Sequence, residues 1–578
     1  MNFHLPFSKQ RDRRAQRPAV KPPPTVTVVE DIGRPLDTLR FAYSSLMDKH
    51  TSMAVLLDDK TGGPGLLLLA PISATDEMAI RTLLVYLSAD ARYTGVEALR
   101  VTPSVLAFVS EKLKHANQLA TPEADKEAFN AFREIVQRAF DSGASDLRFS
   151  VVGHNVKVLV RIDGEIRRFP DSLTRDRAEQ LLRAAFAKSE DNANSGSQLE
   201  FNQYMNTAVS VNVQEGPHPR RIQLRMQSSP QRGGHLNACR LLAQQERSRD
   251  LHKPLAETLV EIGFMPDQAY EIALRSLQGS GAGLSVGETG SGKTNTMYSI
   301  CSALAVPGKA GHSVEDPVEG TIFGMNQHTI QVREGQTRRQ AYEEAFTALL
   351  RSDPDFILIG EIRDDAAGQA FLDSSDAGHY TLSTLHAESA VGAYRRLTSR
   401  LIGLPIEVIT APGFIAWVAH HKLLQRLCTH CKLPLLRCKR QFADPAFGFG
   451  RTELRLLGLL GEPESVFMRN PEGCAHCRQR TPGVQGRTLA AGLFLPDDET
   501  LELIQAQRYA SVQQVLRSRW LFDRKCLKAA LAADKALYKS GMEVGIWKML
   551  QGEIDPREVI SAFRHFGPYL QALGVEYG

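Results

Sequence analysis

Apolar residues in the second half of the chain gather in short runs, each ending in polar or charged positions. Ala282 to Val286 runs into a glycine-rich segment, Val314 precedes Glu315, Phe356 to Ile359 precedes Gly360-Glu361, and Tyr380 to Thr384 precedes Leu385-His386. Runs of this kind predict the buried strands of an α/β domain, whose polar ends meet at one edge of the sheet. The first half reads differently. Glu127 to Phe140 has helical spacing, Asp146 to Phe149 and Val156 to Ile162 read as strand, and Asp163-Gly164 predicts a hairpin turn into a further strand. Closer to the N-terminus, Leu36, Leu39, Tyr43, Leu46 and Met47 share one helical face, while Ala54 to Leu57 and Leu66 to Leu69 predict strands around Gly62-Gly63-Pro64-Gly65.

Shifts in these patterns predict five segments. Residues 1–25 combine Lys9, Arg11, Arg13, Arg14 and Arg17 with Pro18, Pro22, Pro23 and Pro24, which makes a basic, flexible arm. A small α+β domain follows over 26–120, a second unit over 121–245, and a larger domain over 250–578 that contains a cysteine module at 425–490. The arm holds no apolar core of signal-peptide length, which predicts a cytoplasmic chain without a secretory leader. Leu401 to Ala419 is apolar but carries Pro405, Glu407 and Pro412, so it reads as buried core and not as a membrane span.

Composition changes this picture little. The 578 residues are 43% hydrophobic and 23% charged, enough apolar material for several cores. The formal net charge is 69 − 65 = +4, too small a bias to argue for a nucleic-acid partner. Eight cysteines are too few for a disulfide scaffold, and four of them form two Cys-x-x-Cys pairs, Cys428/Cys431 and Cys474/Cys477. Four thiolates suit a closed structural Zn²⁺ site. The interval of 42 residues between the pairs exceeds that of a compact zinc ribbon, and free thiols or a substituted ligand from Cys438, His430 or His476 stay open.

The strongest chemical signal is Gly287-Glu288-Thr289-Gly290-Ser291-Gly292-Lys293-Thr294, a complete phosphate-loop motif between a strand and a helix. Its glycines let main-chain N–H groups turn inward toward phosphate oxygens, and the helix N-terminus adds partial positive charge. Lys293 is the candidate for the β and γ phosphates of ATP, and Thr294 for Mg²⁺. Glu361, at the end of a neighbouring strand, is the candidate acid for the metal. Glu315-Asp316-Pro317-Val318-Glu319 offers carboxylates to orient the attacking water, of which Glu315 is preferred, and His386 ends a third strand at the same edge.

The order of the phosphate loop, Glu-Asp-Pro-Val-Glu (315–319), Arg-Ser-Asp-Pro-Asp-Phe-Ile-Leu-Ile-Gly-Glu-Ile-Arg-Asp (351–364) and Gly-His-Tyr-Thr-Leu-Ser-Thr-Leu-His (378–386) resembles the secretion ATPase superfamily of type II secretion and type IV pilus systems. The resemblance covers roughly residues 125–578. It implies a RecA-like P-loop core, preceded by a PAS-like α+β subdomain, and gives these blocks the family's Walker A, Asp box, Walker B and His box. By this similarity Glu315 is the catalytic glutamate, Glu361 the acid that holds Mg²⁺ through water, and His386 the His-box residue. Arg225 and Arg240, in Gln-Leu-Arg-Met and Ala-Cys-Arg-Leu-Leu, match the two arginines that swing onto the nucleotide.

The tetracysteine insertion after Gln425-Arg426-Leu427 and before Gly486-Arg487 looks like the assembly branch, since retraction-type and conjugation-type relatives generally lack it. The implied activity is ATP hydrolysis that powers pilus or pseudopilus assembly. A homohexamer would work against a polytopic inner-membrane platform protein, as a peripheral cytoplasmic motor with no nucleic acid. A conjugative thin-pilus ATPase and a nucleic-acid translocase are the alternatives. Two departures stand out: Glu288 replaces the usual proline beside the phosphate loop, and Thr347 stands where a further arginine is common.

Overall fold

A computed structural model describes residues 122–189, 199–242, 253–333, 335–438, 451–478 and 480–576, preceded by 39–41, 54–59, 66–70, 97–107 and 109. The predicted arm at 1–25 lies outside the described residues, as do Leu36, Tyr43, Leu46 and Met47. The chain divides into two compact units, residues 1–128 and 129–578.

In the first unit, β1 (Leu39–Phe41), β2 (Ala54–Asp59), β3 (Leu66–Leu69) and β4 (Glu97–Arg100) form one sheet in that order. β1 to β3 pair antiparallel, and β3 with β4 parallel. Leu39, expected on a helix, is therefore a strand residue that pairs with Asp59. Its helical spacing with distant apolar residues is outweighed by the pairing of its own short segment with β2.

The boundary falls within α1 (Pro122–Asp141), and the second unit continues with β5 (Ala144–Val152), β6 (Asn155–Ile162), β7 (Glu165–Arg168), α2 (Arg175–Phe186), β8 (Met205–Glu215), β9 (His218–Gln231) and β10 (Gly234–Leu242). These strands make an antiparallel sheet in the order β7-β6-β5-β10-β9-β8. Alternation of buried and exposed residues along β6, β8 and β9 leaves one face for the core and one for polar side chains.

The larger sheet runs β13-β12-β14-β15-β11-β16-β19, built from β11 (Ala282–Gly287), β12 (Gly311–Glu315), β13 (Met325–Thr329), β14 (Phe356–Ile362), β15 (Tyr380–Leu385), β16 (Ile415–Leu427) and β19 (Val484–Phe494). Its strands are parallel except β19, which pairs antiparallel with β16. Every residue of β11, β12 and β15 is buried, because helices cover both faces. One face packs on α3 (Lys293–Leu304), through Met297, Ile300, Cys301 and Leu304. The other packs on α4 (Arg338–Leu350) and α5 (Asp365–Asp376), through Phe346, Leu349, Ala370 and Phe371. With strands running one way, all their C-terminal ends reach a single edge.

Between β16 and β19 lie β17 (Leu433–Pro434), α6 (Arg451–Leu460) and β18 (Phe467–Met468), with β17 and β18 paired. Two-residue strands supply little cohesion. The apolar side of this module, with Leu435, Leu456, Leu457 and Val466, instead joins a core made by α7 (Gly541–Leu550) and the following helices. Leu401 to Ala419 holds the short helix Ile406–Ile409 and the start of β16. Among the described residues no helix is long and apolar enough to cross a membrane.

Candidate functional site

The phosphate loop leaves β11 at Gly287, where φ is +144° and a Cβ would lie 2.6 Å from the His421 carbonyl oxygen. Glycine is required by that close approach. Glu288, Thr289 and Gly290 form the exposed tip, Ser291 is buried, and Gly292 enters α3 in the left-handed region. No side chain caps α3, so its first N–H groups remain available to an anion. Lys293 folds back over the loop and donates from Nζ to the carbonyls of Gly287 and Glu288, both at 2.8 Å. Burial pulls its pKa below the usual lysine value against the fields of Glu361 and Glu319, which hold it up.

Glu361 lies where the pairing of β14 with β15 breaks register between Ile359 and Ile362. Such an irregularity re-aims side chains. Ser383 Oγ donates to Ile359 O and Thr384 Oγ1 to Gly360 O, both at 2.7 Å, so β15 hydroxyls satisfy carbonyls at the break. Arg363 donates to Glu361 Oε2 at 2.7 Å, and His386 Nε2 lies 2.9 Å from Oε1, a buried atom that accepts no hydrogen bond. Burial first, then Lys293, lowers the pKa of His386, and a hydrogen bond with the Gly287 backbone opposes this. The phosphate loop and the ends of β14 and β15 thus meet within hydrogen-bond distances.

Glu315 and Glu319, two of the three acids between 315 and 319, differ. Glu315, at the end of β12, is 4% exposed, and its carboxylate takes hydrogen bonds from Tyr298, from Ser313 at 2.6 Å and from Gln327 at 3.2 Å. Burial raises its pKa against these donors. Tyr298 belongs to α3 and also accepts from the Glu319 N–H at 3.1 Å. Glu319, four residues on, lines the same cavity as Thr294, Glu315 and Glu361, and its field reaches Lys293. Gly360 admits the Glu315 side chain, since a Cβ there would lie 3.2 Å from Glu315 Cγ. Arg338 of α4 bridges Asp316 at 2.9 Å and Asp364 at 2.6 Å across this rim. Tyr298 and Arg338 escaped the sequence reading because each sits outside a recognisable motif, while Arg363 lies inside the 351–364 block but carries no signal of its own.

Glu288 does not face the loop's interior. Lys422 of β16 bonds both its oxygens at 2.9 Å and, as the largest cause, holds its carboxyl below the usual range. Thr347 is exposed on α4. Arg225 and Arg240 stand opposite each other on β9 and β10. Arg240 pairs with Asp146 at 3.4 Å, whereas Arg225 Nη2 is buried without a partner. Neither lines the cavity that contains Thr294 and Glu361.

The four cysteine Sγ atoms, from Cys428, Cys431, Cys474 and Cys477, lie within 4.8 Å of one another. Three of the pairs are at 3.8 Å. A tetrahedron with Zn–S bonds of ~2.3 Å has edges of ~3.8 Å, so the donor set fits zinc. Cys477 Sγ also accepts from the N–H groups of Cys474 at 3.2 Å and Gly483 at 3.1 Å. Cys438 lies apart in the apolar core with Leu435 and Leu456. His430 and His476 stack on each other at 3.8 Å and are not members of the cluster.

A mainly parallel sheet with a phosphate loop and three acidic or histidine strand ends at one edge defines an α/β phosphate-loop protein. The chain belongs to the Type II/IV secretion system protein family, whose model matches residues 123–537. It is 27% identical over 447 residues to the type IV pilus assembly ATPase PilB of Thermus thermophilus, covering 76% of this chain and 43% of that one. It is 26% identical over 393 residues to the type II secretion system protein E of Klebsiella pneumoniae, covering 68% of this chain and 70% of that one. The chain thus spans less than half the length of the Thermus relative. Among solved structures, the pilus retraction motor PilT with bound ADP aligns at 19% identity over 74% of this chain and 96% of that one, with a TM-score of 0.44.

Proposed function

We propose that this protein is an ATPase that powers assembly of a type IV pilus or a type II secretion pseudopilus. The observation that carries the reading is the convergence of Lys293, Thr294, Glu319, Glu361 and His386 at one sheet edge beside an uncapped helix N-terminus. The names of the Thermus and Klebsiella relatives, a pilus assembly ATPase and a type II secretion protein, supply the direction of the work.

In this reading Lys293 exchanges the carbonyls of Gly287 and Glu288 for β and γ phosphate oxygens of ATP, while N–H groups from Glu288 to Thr294 surround them. Thr294 and Glu361 would hold Mg²⁺, which neutralises phosphate charge; the orphaned buried Oε1 of Glu361 suits that role. Glu319, not Glu315, orients the attacking water. All the hydrogen bonds recorded for Glu315 draw it inward, onto Tyr298, Ser313 and Gln327, so it acts by tying α3 to β12. His386 contacts Glu361 and the loop together and positions both. Arg225 and Arg240 reach the phosphates only when the antiparallel sheet moves toward the loop, which couples hydrolysis to motion. Zn²⁺ held by the four cysteines is structural.

The working form is a homohexamer at the cytoplasmic face of the inner membrane, acting on a polytopic platform protein. The test is Mg²⁺-dependent ATP turnover by the purified protein, together with its mass in solution and its co-purification with a polytopic inner-membrane platform protein. Absence of turnover in a folded, hexameric preparation refutes the motor.

A further inference from the structure

The hairpin that joins β6 to β7 exposes Gly164 but sets the residues on either side of it, Asp163 and Glu165, against the cysteine module. We propose that the tetracysteine module is the socket for this hairpin tip, with Glu165 as the positioning residue, so that metal loading and the seating of the arginine-bearing sheet are linked. Arg469, just after β18, donates to both carboxylate oxygens of Glu165, with Nη2 to Oε2 at 3.3 Å, and from Nε to Pro482 O at 2.8 Å. The next residue, Gly483, donates its N–H to Cys477 Sγ at 3.1 Å and accepts from Cys428 N at 3.0 Å. Glu165 is therefore joined to the thiolate cluster through three hydrogen bonds, Glu165 with Arg469, Arg469 with Pro482, and Gly483 with Cys477.

Two further contacts run beside it. Arg167 donates to Arg480 O at 2.7 Å, and Arg480 N donates to Cys477 O at 3.1 Å. Gln425, three residues before Cys428, donates to Asp163 O at 2.9 Å and to Glu165 Oε1 at 3.2 Å. Gly143, with φ of +75°, lets the entry to β5 pass the module, since a Cβ there would lie 2.4 Å from Arg480 Nη2. Burial pushes the Glu165 carboxyl up, but Arg469, Arg167 and Gln425 outweigh it and bring it down to about 2, which keeps the carboxylate ionised.

The described residues from Arg469 to Gly483 form no strand or helix, and turns around Cys474 and Cys477 shape them. A four-thiolate metal site cross-links those turns, so the socket and the metal stabilise the same conformation. Linkage is reciprocal: if loading favours docking, docking raises metal affinity by the same factor. The sheet seated in this way is the one that bears Arg225 and Arg240.

This inference rests on the zinc reading, and its arms separate the two. Hydrogen exchange over residues 155–168, and zinc release to a chromogenic chelator, are compared in the full chain for wild type, Glu165→Gln, Glu165→Ala, Arg469→Ala and the swap Glu165→Arg with Arg469→Glu. Both alanine variants should hold one zinc, exchange at least ~5-fold faster at the hairpin tip and, at equilibrium with the chelator, bind zinc at least ~5-fold more weakly. Glu165→Gln should fall between them and wild type, and the swap should recover part of the protection. Chelated wild type should show the hairpin signature of Glu165→Ala. Wild type that purifies without zinc overturns the thiolate reading and the linkage with it. Unchanged hairpin exchange in the zinc-loaded alanine variants, or in the chelated wild type, overturns the socket alone.

Discussion

The phosphate-loop edge and the tetracysteine module are each built on short motifs, yet they are held by different means. The loop grows out of β11, whose six residues are all buried between two helical layers, and its contacts with Glu361 and His386 are made across adjacent strands of one sheet. The module has two-residue strands, borrows its apolar core from the C-terminal helices, and joins cysteines that are 46 positions apart. The first is rigid because main-chain pairing and core packing fix it without a ligand. The second needs a cross-link. A change at the loop should therefore alter chemistry and spare the fold, whereas a change at the module should alter local structure and spare the chemistry.

The sharpest way to break this contrast is Lys293→Ala. Loss of the ammonium should cut ATP turnover by on the order of 10³-fold, while thermal unfolding stays near wild type, because β11 and the helices packed on it hold the loop without the lysine's two hydrogen bonds. A large drop in melting temperature would mean that the loop depends on Lys293 for its shape. Next in size is Glu319→Gln, expected to bind ATP normally and hydrolyse it ~10²-fold more slowly. Glu315→Gln is its control: the buried hydrogen-bond set should lose about 1–3 kcal/mol of stability in a thermal or denaturant melt, with a smaller loss of turnover than Glu319→Gln. The reverse ranking of the two turnover rates restores Glu315 as the water-orienting acid.

On the module side, Cys474→Ser should abolish zinc binding and expose the segment around Arg469 to Gly483 to protease, with ATP affinity changed less than ~3-fold because the sheet holds the loop. Retention of zinc by this variant, measured by elemental analysis, would remove the four-thiolate site. The smallest effect belongs to Glu288→Gln. Its partner Lys422 already neutralises it in a largely exposed pair, so the nucleotide dissociation constant should move by less than about 2-fold. A tenfold gain in affinity would show that the acid opposes phosphate binding after all.

Much of the site was legible in the chain itself. The phosphate loop, the strands ending at Glu315, Glu361 and His386, and the two cysteine pairs are local signals in which residue type and spacing follow from the chemistry. Choosing between Glu315 and Glu319 was not, because both sit in one pentapeptide. The donors that separate them come from Tyr298 on α3 and Gln327 on β13 as well as from Ser313. Glu288 was legible as an added charge, but its partner Lys422 is 134 positions away. Leu39 read as helical because its spacing to apolar neighbours ignores the strand it pairs with.

The sequence by itself determined the elements whose geometry is local: the glycine turns of the phosphate loop, the buried runs that became parallel strands, and the knuckle spacing that brings two thiols together. Only the tertiary structure decided where charges from distant segments meet. It tied the Glu315 carboxylate to Tyr298, Ser313 and Gln327 in the cavity that Glu319 also lines, set Lys422 on Glu288, paired Arg240 with Asp146, and brought Arg469 to Glu165 across 304 positions. The reason is physical: backbone preference and hydrophobic period act over a few residues, whereas a carboxylate's partner depends on which strands the core packing makes neighbours.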